Sequence, residues 1–352
     1  MKATSLQKFI WILVFVAVSV GALQADIFDS TKRKEFNRSF AVGTSDRLSV
    51  DNRYGNVTVV YWNKSEINIR VEVIAKAKSD SRAQEALDRV NVDLSQSGNS
   101  VRGVTTLKSS WGGSNVSLEI NYYVSMPQRL EINIAQQYGG INLPEQNDGK
   151  SHLEVKYGKI SAGNFSEKLT IDGGYSDIAI GNMSTATLDL RYCNLKAKNA
   201  TSLSIDGAYT PMKFENVGAV TAESSYGDLT FDRLDRISLE MRYASININR
   251  LSEEFSAATF DYSNLKIQNV DAGFRKIDLS AKYGNVDLKI PAKAAFNVNV
   301  TRTTYGSVDM KGFTLTHSNV SKSEHSYTVN GGGNAYVSVN SNGYSNVSIK
   351  AQ

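Results

Sequence analysis

Few residues in this chain could do covalent or metal chemistry. There is one cysteine, Cys193, and the three histidines, His152, His317 and His325, are scattered. A lone thiol excludes a disulfide framework and a cysteine-based metal cluster, and scattered imidazoles argue against a histidine metal site. No nucleophile elbow, phosphate loop or metal-ligand spacing occurs. Carboxylates remain, because a polysaccharide lyase or hydrolase needs them clustered on one face, often with Ca²⁺. Asp177 and Asp228 hold equivalent places in the repeat described below, but three units apart, roughly 14 Å at the spacing of stacked strands. That is too far for a shared proton or metal. Asp172-Gly173 and Asp206-Gly207 read as turns. No catalytic residue, cofactor or metal is expected.

Contact chemistry is the other option. Trp111 sits in the Gly/Ser-rich stretch SSWGGSN, where an exposed ring could touch a ligand. Lys156, Arg191 and Arg242 each directly precede a tyrosine, and together would form a mildly basic stripe able to meet an anionic envelope polymer. A solvated face is the plainer reading of that stripe. Ten Asn-x-Ser/Thr sequons, including those at Asn182 and Asn199, follow from turn composition.

What positions these residues is a repeat. Of the 17 tyrosines, 12 open the pattern Tyr-x-x-apolar-x-apolar, as in YGNVTV at Tyr54, YSDIAI at Tyr175 and YGNVDL at Tyr283. The contiguous markers are Tyr138, Tyr157, Tyr175, Tyr192, Tyr209, Tyr226, Tyr243, Tyr262, Tyr283 and Tyr305, spaced by 19, 18, 17, 17, 17, 17, 19, 21 and 22 residues. Columns align across the 17-residue units: Ile178, Leu195, Met212 and Leu229; Ile180, Ala197, Phe214 and Phe231; Ala186, Leu203, Val220 and Ile237. Each unit reads as a short alternating strand, a corner, one buried residue, a second corner and a longer alternating strand. So small a unit cannot bury its apolar face alone and must stack on its neighbours.

The pattern predicts an all-β chain: a single-stranded β-solenoid, or β-helix, with coils of 17 to 22 residues. It should be right-handed by the usual preference of parallel crossovers. Antiparallel meanders would give spacings of about 8–12 residues instead. Each tyrosine shares the parity of the apolar positions before it, so its ring should face or border the core, with the hydroxyl reaching a corner or water. An exposed aromatic ladder gripping a glycan is the alternative. The residue after it is often Gly or Ser, suggesting a tight left-handed corner there, and Cys193 falls in that column as a small-residue substitute.

The ends differ. Residues 1–25 carry two lysines, an apolar run of about 15 residues and small residues, the order of a secretory signal peptide cleaved after Ala25 or Ala22. The run is short of the roughly 20 residues that span hydrocarbon, and the mature chain has no transmembrane segment. Residues 26–47 read as a flexible lead-in, and 48–130 as a strand-rich cap opened by an early coil at Tyr54. The cap should hold one helix near 81–92, with Ser81 and Gln84 at capping-box spacing. The solenoid proper runs over 131–312, and 313–352 should close the C-terminal end.

The whole chain has 352 residues, is 41% hydrophobic and 21% charged, and carries a net charge of +4. Removing Lys2 and Lys8 with the leader leaves 37 basic against 35 acidic residues. Such a surface is not built for nucleic acid.

The leader, the strand-rich segment with one helix, and phrases such as LSVDNRYGNVTVVYW and LEVKYGKISAGNF resemble the putative-adhesin β-solenoid family of bacterial envelope proteins. That family is related to the head domain of putative autotransporter adhesins. The resemblance spans about residues 40–350 and implies a periplasmic or surface location in a bacterium; it carries no catalytic residues. The expected function is non-enzymatic: a rigid face presented to an envelope glycan or protein. A carbohydrate-active enzyme of β-helix type, or an envelope-stress sensor, are the alternatives.

Overall fold

The computed structural model describes residues 29–108, 115–302 and 305–352. The leader and Trp111 lie outside them. The described chain is all-β with one helix, and every strand belongs to one hydrogen-bonded system.

The middle is built as the repeat demands. Strands Asn194–Ala208, Met212–Ser225 and Leu229–Arg242 pair in parallel, each residue opposite the one 17 positions on: Leu195 to Met212 to Leu229, and Leu203 to Val220 to Ile237. All these apolar residues are buried. A rung therefore has no core of its own, because its inward row packs against the same row above and below. The longer units absorb their extra residues locally. Where the 19-residue unit after Tyr243 pairs with the preceding rung, the register slips between Leu234 and Arg236 and between Leu239 and Glu240 of that rung. The 21- and 22-residue units add turns closed by Phe274 N–H to Asp271 O, 3.1 Å, and Ala294 N–H to Pro291 O, 2.9 Å.

The N-terminal cap is an insertion within a coil. β1 (Ser30–Ala41), β2 (Arg47–Tyr61), β3 (Glu66–Ala77), α1 (Asp80–Asp88), β4 (Val90–Ser97), β5 (Ser100–Leu107), β6 (Val116–Met126) and β7 (Glu131–Asn142) follow in order. β2 carries Tyr54 and pairs in parallel with β7, setting Gly55 opposite Gly139, so Tyr54 heads the first rung. The expected flexible lead-in is largely strand instead: β1 pairs antiparallel with β3 over twelve positions. Buried Phe40 and half-buried Phe36 pack against the cap, a contact that weak sequence periodicity concealed. The helix is shorter than expected, because Val90 already opens β4. It has no capping box either: Ser79 is the N-cap, and Ser81 lies inside the first turn. A buried polar network fastens cap to rung. Asn52 donates to Ile120 O at 2.9 Å and to Gln136 Oε1 at 3.0 Å, while Thr105 Oγ1 lies 2.9 Å from the Tyr122 hydroxyl.

The C-terminal end departs from chain order. Tyr336–Asn342 pairs in parallel with Lys276–Lys282 on one side and Phe296–Thr301 on the other. Asn346–Ala351 likewise lies between Asn285–Ile290 and Val308–Lys311. The rung of Tyr344 is thus inserted between those of Tyr283 and Tyr305. The last strands do not close the rod. That task falls to the antiparallel hairpin Leu315–Val320 and Glu324–Val329, laid on Phe296–Thr301.

Candidate functional site

At the corner of each rung from Tyr54 to Tyr283 the tyrosine itself is left-handed, with φ between 50° and 59°. The sequence assigned that conformation to the residue after it. The positive φ turns the chain while the tyrosine N–H stays in the rung-to-rung ladder, as in Tyr192 N–H to Ala208 O, 3.0 Å. Glycine follows for a different reason. A Cβ on Gly158 would sit 1.9 Å from Gly139 O, and one on Gly227 would sit 2.4 Å from Thr210 O. Where the rung can take a side chain there, it is small and bonded inward: Ser176 Oγ accepts from Gly158 N–H at 3.1 Å and donates to Gly174 O at 2.8 Å. Cys193 is buried in this column, its Sγ 3.3 Å from Arg191 O, and burial pushes its thiol pKa up. It is a packing residue.

Turning the backbone left-handed throws the ring outward. The tyrosine rings do not face the core; Tyr138 through Tyr344 are 39% to 66% exposed. They stack face to face in an unbroken ladder, with centroids 4.7–5.2 Å apart and planes within 16° from Tyr54 to Tyr283. Tyr344 continues it at 6.1 Å from Tyr283, and Tyr305 ends it 5.1 Å beyond. The ladder is about 50 Å long at rung spacing. Its faces are spent on one another. What it shows to solvent is a row of ring edges and phenol hydroxyls, so it cannot grip sugars by laying rings on them, except at its ends.

A second row went unnoticed in the sequence although its signal is plain. Three residues before six successive tyrosines stand Glu154, Asp172, Asp189, Asp206, Glu223 and Glu240, in register on adjacent rungs. Like charges directly opposite repel, and neighbouring basic or hydrogen-bonding side chains relieve this. Lys156 pairs with Glu154 at 2.6 Å, His152 with Asp172 at 2.6 Å, and Arg242 reaches Glu240 at 3.9 Å. Arg191 bridges Asp189 and Asp206, each at 2.9 Å. The supposed basic stripe of Lys156, Arg191 and Arg242 is therefore committed to the protein's own carboxylates. Among the described residues no three His, Cys, Asp or Glu gather as metal ligands would.

Asparagines make further rows at the corners. Asn216 donates to Asn199, and Asn199 to Asn182, each at 2.6 Å. Trp62, which the sequence left without a role, lines a cleft of about 730 Å³ between cap and first rungs, with Tyr61, Lys64 and Arg129. Its indole N–H is spent on Glu66 O at 2.8 Å, and Lys64 Nζ lies over the ring at 4.6 Å. No helix among the described residues is long and apolar enough to cross a membrane.

Stacked parallel rungs with an insertion cap and a solvent-facing tyrosine ladder define a Toastrack-type all-β solenoid domain. The chain belongs to the Toastrack DUF4097 family, whose profile matches residues 45–347. Among solved structures it is similar to a putative adhesin from Parabacteroides distasonis, at 11% identity and a TM-score of 0.39, covering 72% of this chain and 96% of that one. A putative adhesin from Bacteroides fragilis gives 12% identity and a TM-score of 0.31, covering 69% and 97%. A putative lipid binding protein from Parabacteroides distasonis gives 9% and 0.35, covering 72% and 95%. No curated protein matches the sequence.

Proposed function

We propose that this protein is a non-enzymatic, adhesin-like binding protein of the bacterial envelope, acting in the periplasm or at the cell surface once its leader is removed. Its coils wind as a single-stranded, right-handed β-solenoid, a reading supported by the in-register parallel pairing of successive rungs. The solenoid presents the tyrosine ladder to an envelope glycan or protein.

One observation carries this reading. Ten tyrosines hold a left-handed backbone that costs about 1–2 kcal/mol each, while ring stacking returns about 0.5–1.5 kcal/mol per pair. The two are of similar size, so stability alone does not account for the ladder. Strain repeated at an exposed site points to use of that site. Phenol hydroxyls at rung spacing suit a polymer that offers hydrogen-bonding groups at intervals. The carboxylate row supports the binding reading over a glycosidase because four of its members are paired with Lys156, His152 and Arg191, and none lines the cleft beside Trp62.

The test is retention of the mature protein on envelope glycan and envelope-protein fractions, compared with a Tyr192→Asn/Tyr209→Asn/Tyr226→Asn variant. Asparagine tolerates the left-handed backbone, so the fold is kept while three rings are removed. Retention should fall at least tenfold. Equal retention of both proteins, or none of the wild type, would reject the ladder as the contact face.

A further inference from the structure

On the short-strand sheet a groove of about 490 Å³ runs across the rungs from Glu145 to Glu215. One half has a floor and walls of small residues, including Ala162, Gly163, Ala179 and Gly181. The other half is lined by three lysines. Lys196 and Lys213 are direct register partners on adjacent rungs, about 4.8 Å apart along the rod, and Lys198 lies two residues from Lys196 on the same outer face.

These three lysines share one concavity without an ion pair among the described residues. Several arginines, by contrast, are matched to carboxylates on an adjacent rung: Arg191 to Asp206, Arg250 to Asp271, Arg275 to Glu253 and Glu254. Among the described residues no carboxylate lies within ion-pair distance of Lys196, Lys198 or Lys213, although Glu145 also lines the groove and Glu215 lies two residues from Lys213 on the same outer face. Like charges directly opposite in a sheet are unfavourable. A concavity that gathers unpaired ammonium groups has the character of an anion site, and lysine is a point-charge partner for phosphate.

We propose that this groove binds a phosphate ester. The phosphate would sit on Lys196, Lys198 and Lys213, and the uncharged body of the ligand would lie along the Ala/Gly half. No bond is made or broken; the lysines donate N–H to phosphate oxygens. The ester could be that of a soluble or polymeric polyol phosphate, or of a phospholipid headgroup.

The experiment titrates the mature protein calorimetrically with glycerol phosphate, with glycerol as the uncharged control, and sediments it with phosphatidylglycerol and phosphatidylcholine vesicles. Each is repeated with Lys196→Gln/Lys213→Gln and with Lys266→Gln, a lysine outside the groove. The proposal expects binding to glycerol phosphate or to phosphatidylglycerol, weakened at least tenfold in the double variant and unchanged in Lys266→Gln. The melting temperature of the double variant should be no lower than that of the wild type. Which probe binds identifies the source of the ester. Binding to neither anionic probe, or equal loss in both variants, overturns the site. The ladder variant is expected to retain phosphate binding, so failure here and failure of the ladder reading are told apart.

Discussion

At the residue scale the corner tyrosine decides the surface. Alternation placed its side chain on the inward parity, and it would face inward if the strand continued through it. A positive φ breaks the alternation at that residue and sends the ring out. No side-chain type announces this, because tyrosine is not a residue that favours left-handed backbone. Tyr209 offers a direct measure. Tyr209→Gly and Tyr209→Ala both forfeit the stacks with Tyr192 and Tyr226, but only alanine keeps a Cβ in the strained geometry. Urea denaturation should find the glycine variant more stable than the alanine variant by about 1 kcal/mol. An alanine variant of equal or greater stability would show that the surrounding ladder, and not intrinsic strain, sets the cost. The carboxylate row shows the opposite situation. Its register was readable three residues before six successive tyrosines, but its meaning needed the basic side chains that the fold sets beside it.

At the scale of the element, the rung was legible almost residue by residue. The aligned columns through Ile178, Ile180 and Ala186 are parallel register partners in the structure. Period-2 patterning is a direct consequence of strand geometry, so it survives any error about what lies outside the core. Leu203 sits in the middle of such a column, 2% exposed. Leu203→Asp buries a charge with no partner on either adjacent rung, and should cost about 4 kcal/mol or more. Thermal melting followed by circular dichroism should show a grossly lowered or non-cooperative transition. A melt like that of the wild type would contradict the column. Elements with weaker signals were less readable. β1 alternates poorly because most of its residues are exposed, and its strand character comes from the twelve-position pairing with β3. α1 loses its expected last turn to β4, whose pairing with β5 is the stronger claim on Val90.

For the whole molecule, the order of rungs is the feature with most consequence. The strands of residues 336–351 hydrogen-bond on both sides, so the chain's last segment fills a slot between two earlier rungs. Stability in a stacked array passes only between neighbours. Removing residues 335–352 should therefore loosen the rungs of Tyr283 and Tyr305 and the terminal hairpin, while the central rungs keep their protection. Hydrogen exchange would show fast amides over residues 276–334 and slow ones over 183–242. Exchange that stays slow at residues 276–301, or that accelerates along the entire rod, would refute this arrangement. By itself the sequence determined the period, the inward columns and the all-β class, because alternation and repeat length are local consequences of a strand with one buried face. Only the tertiary structure decided that the rings point out, that the basic stripe is neutralised while three other lysines are not, and that the last rung is the last but one in space. Each of these depends on which side chain lies on the neighbouring rung, a relation between distant residues that no local pattern encodes.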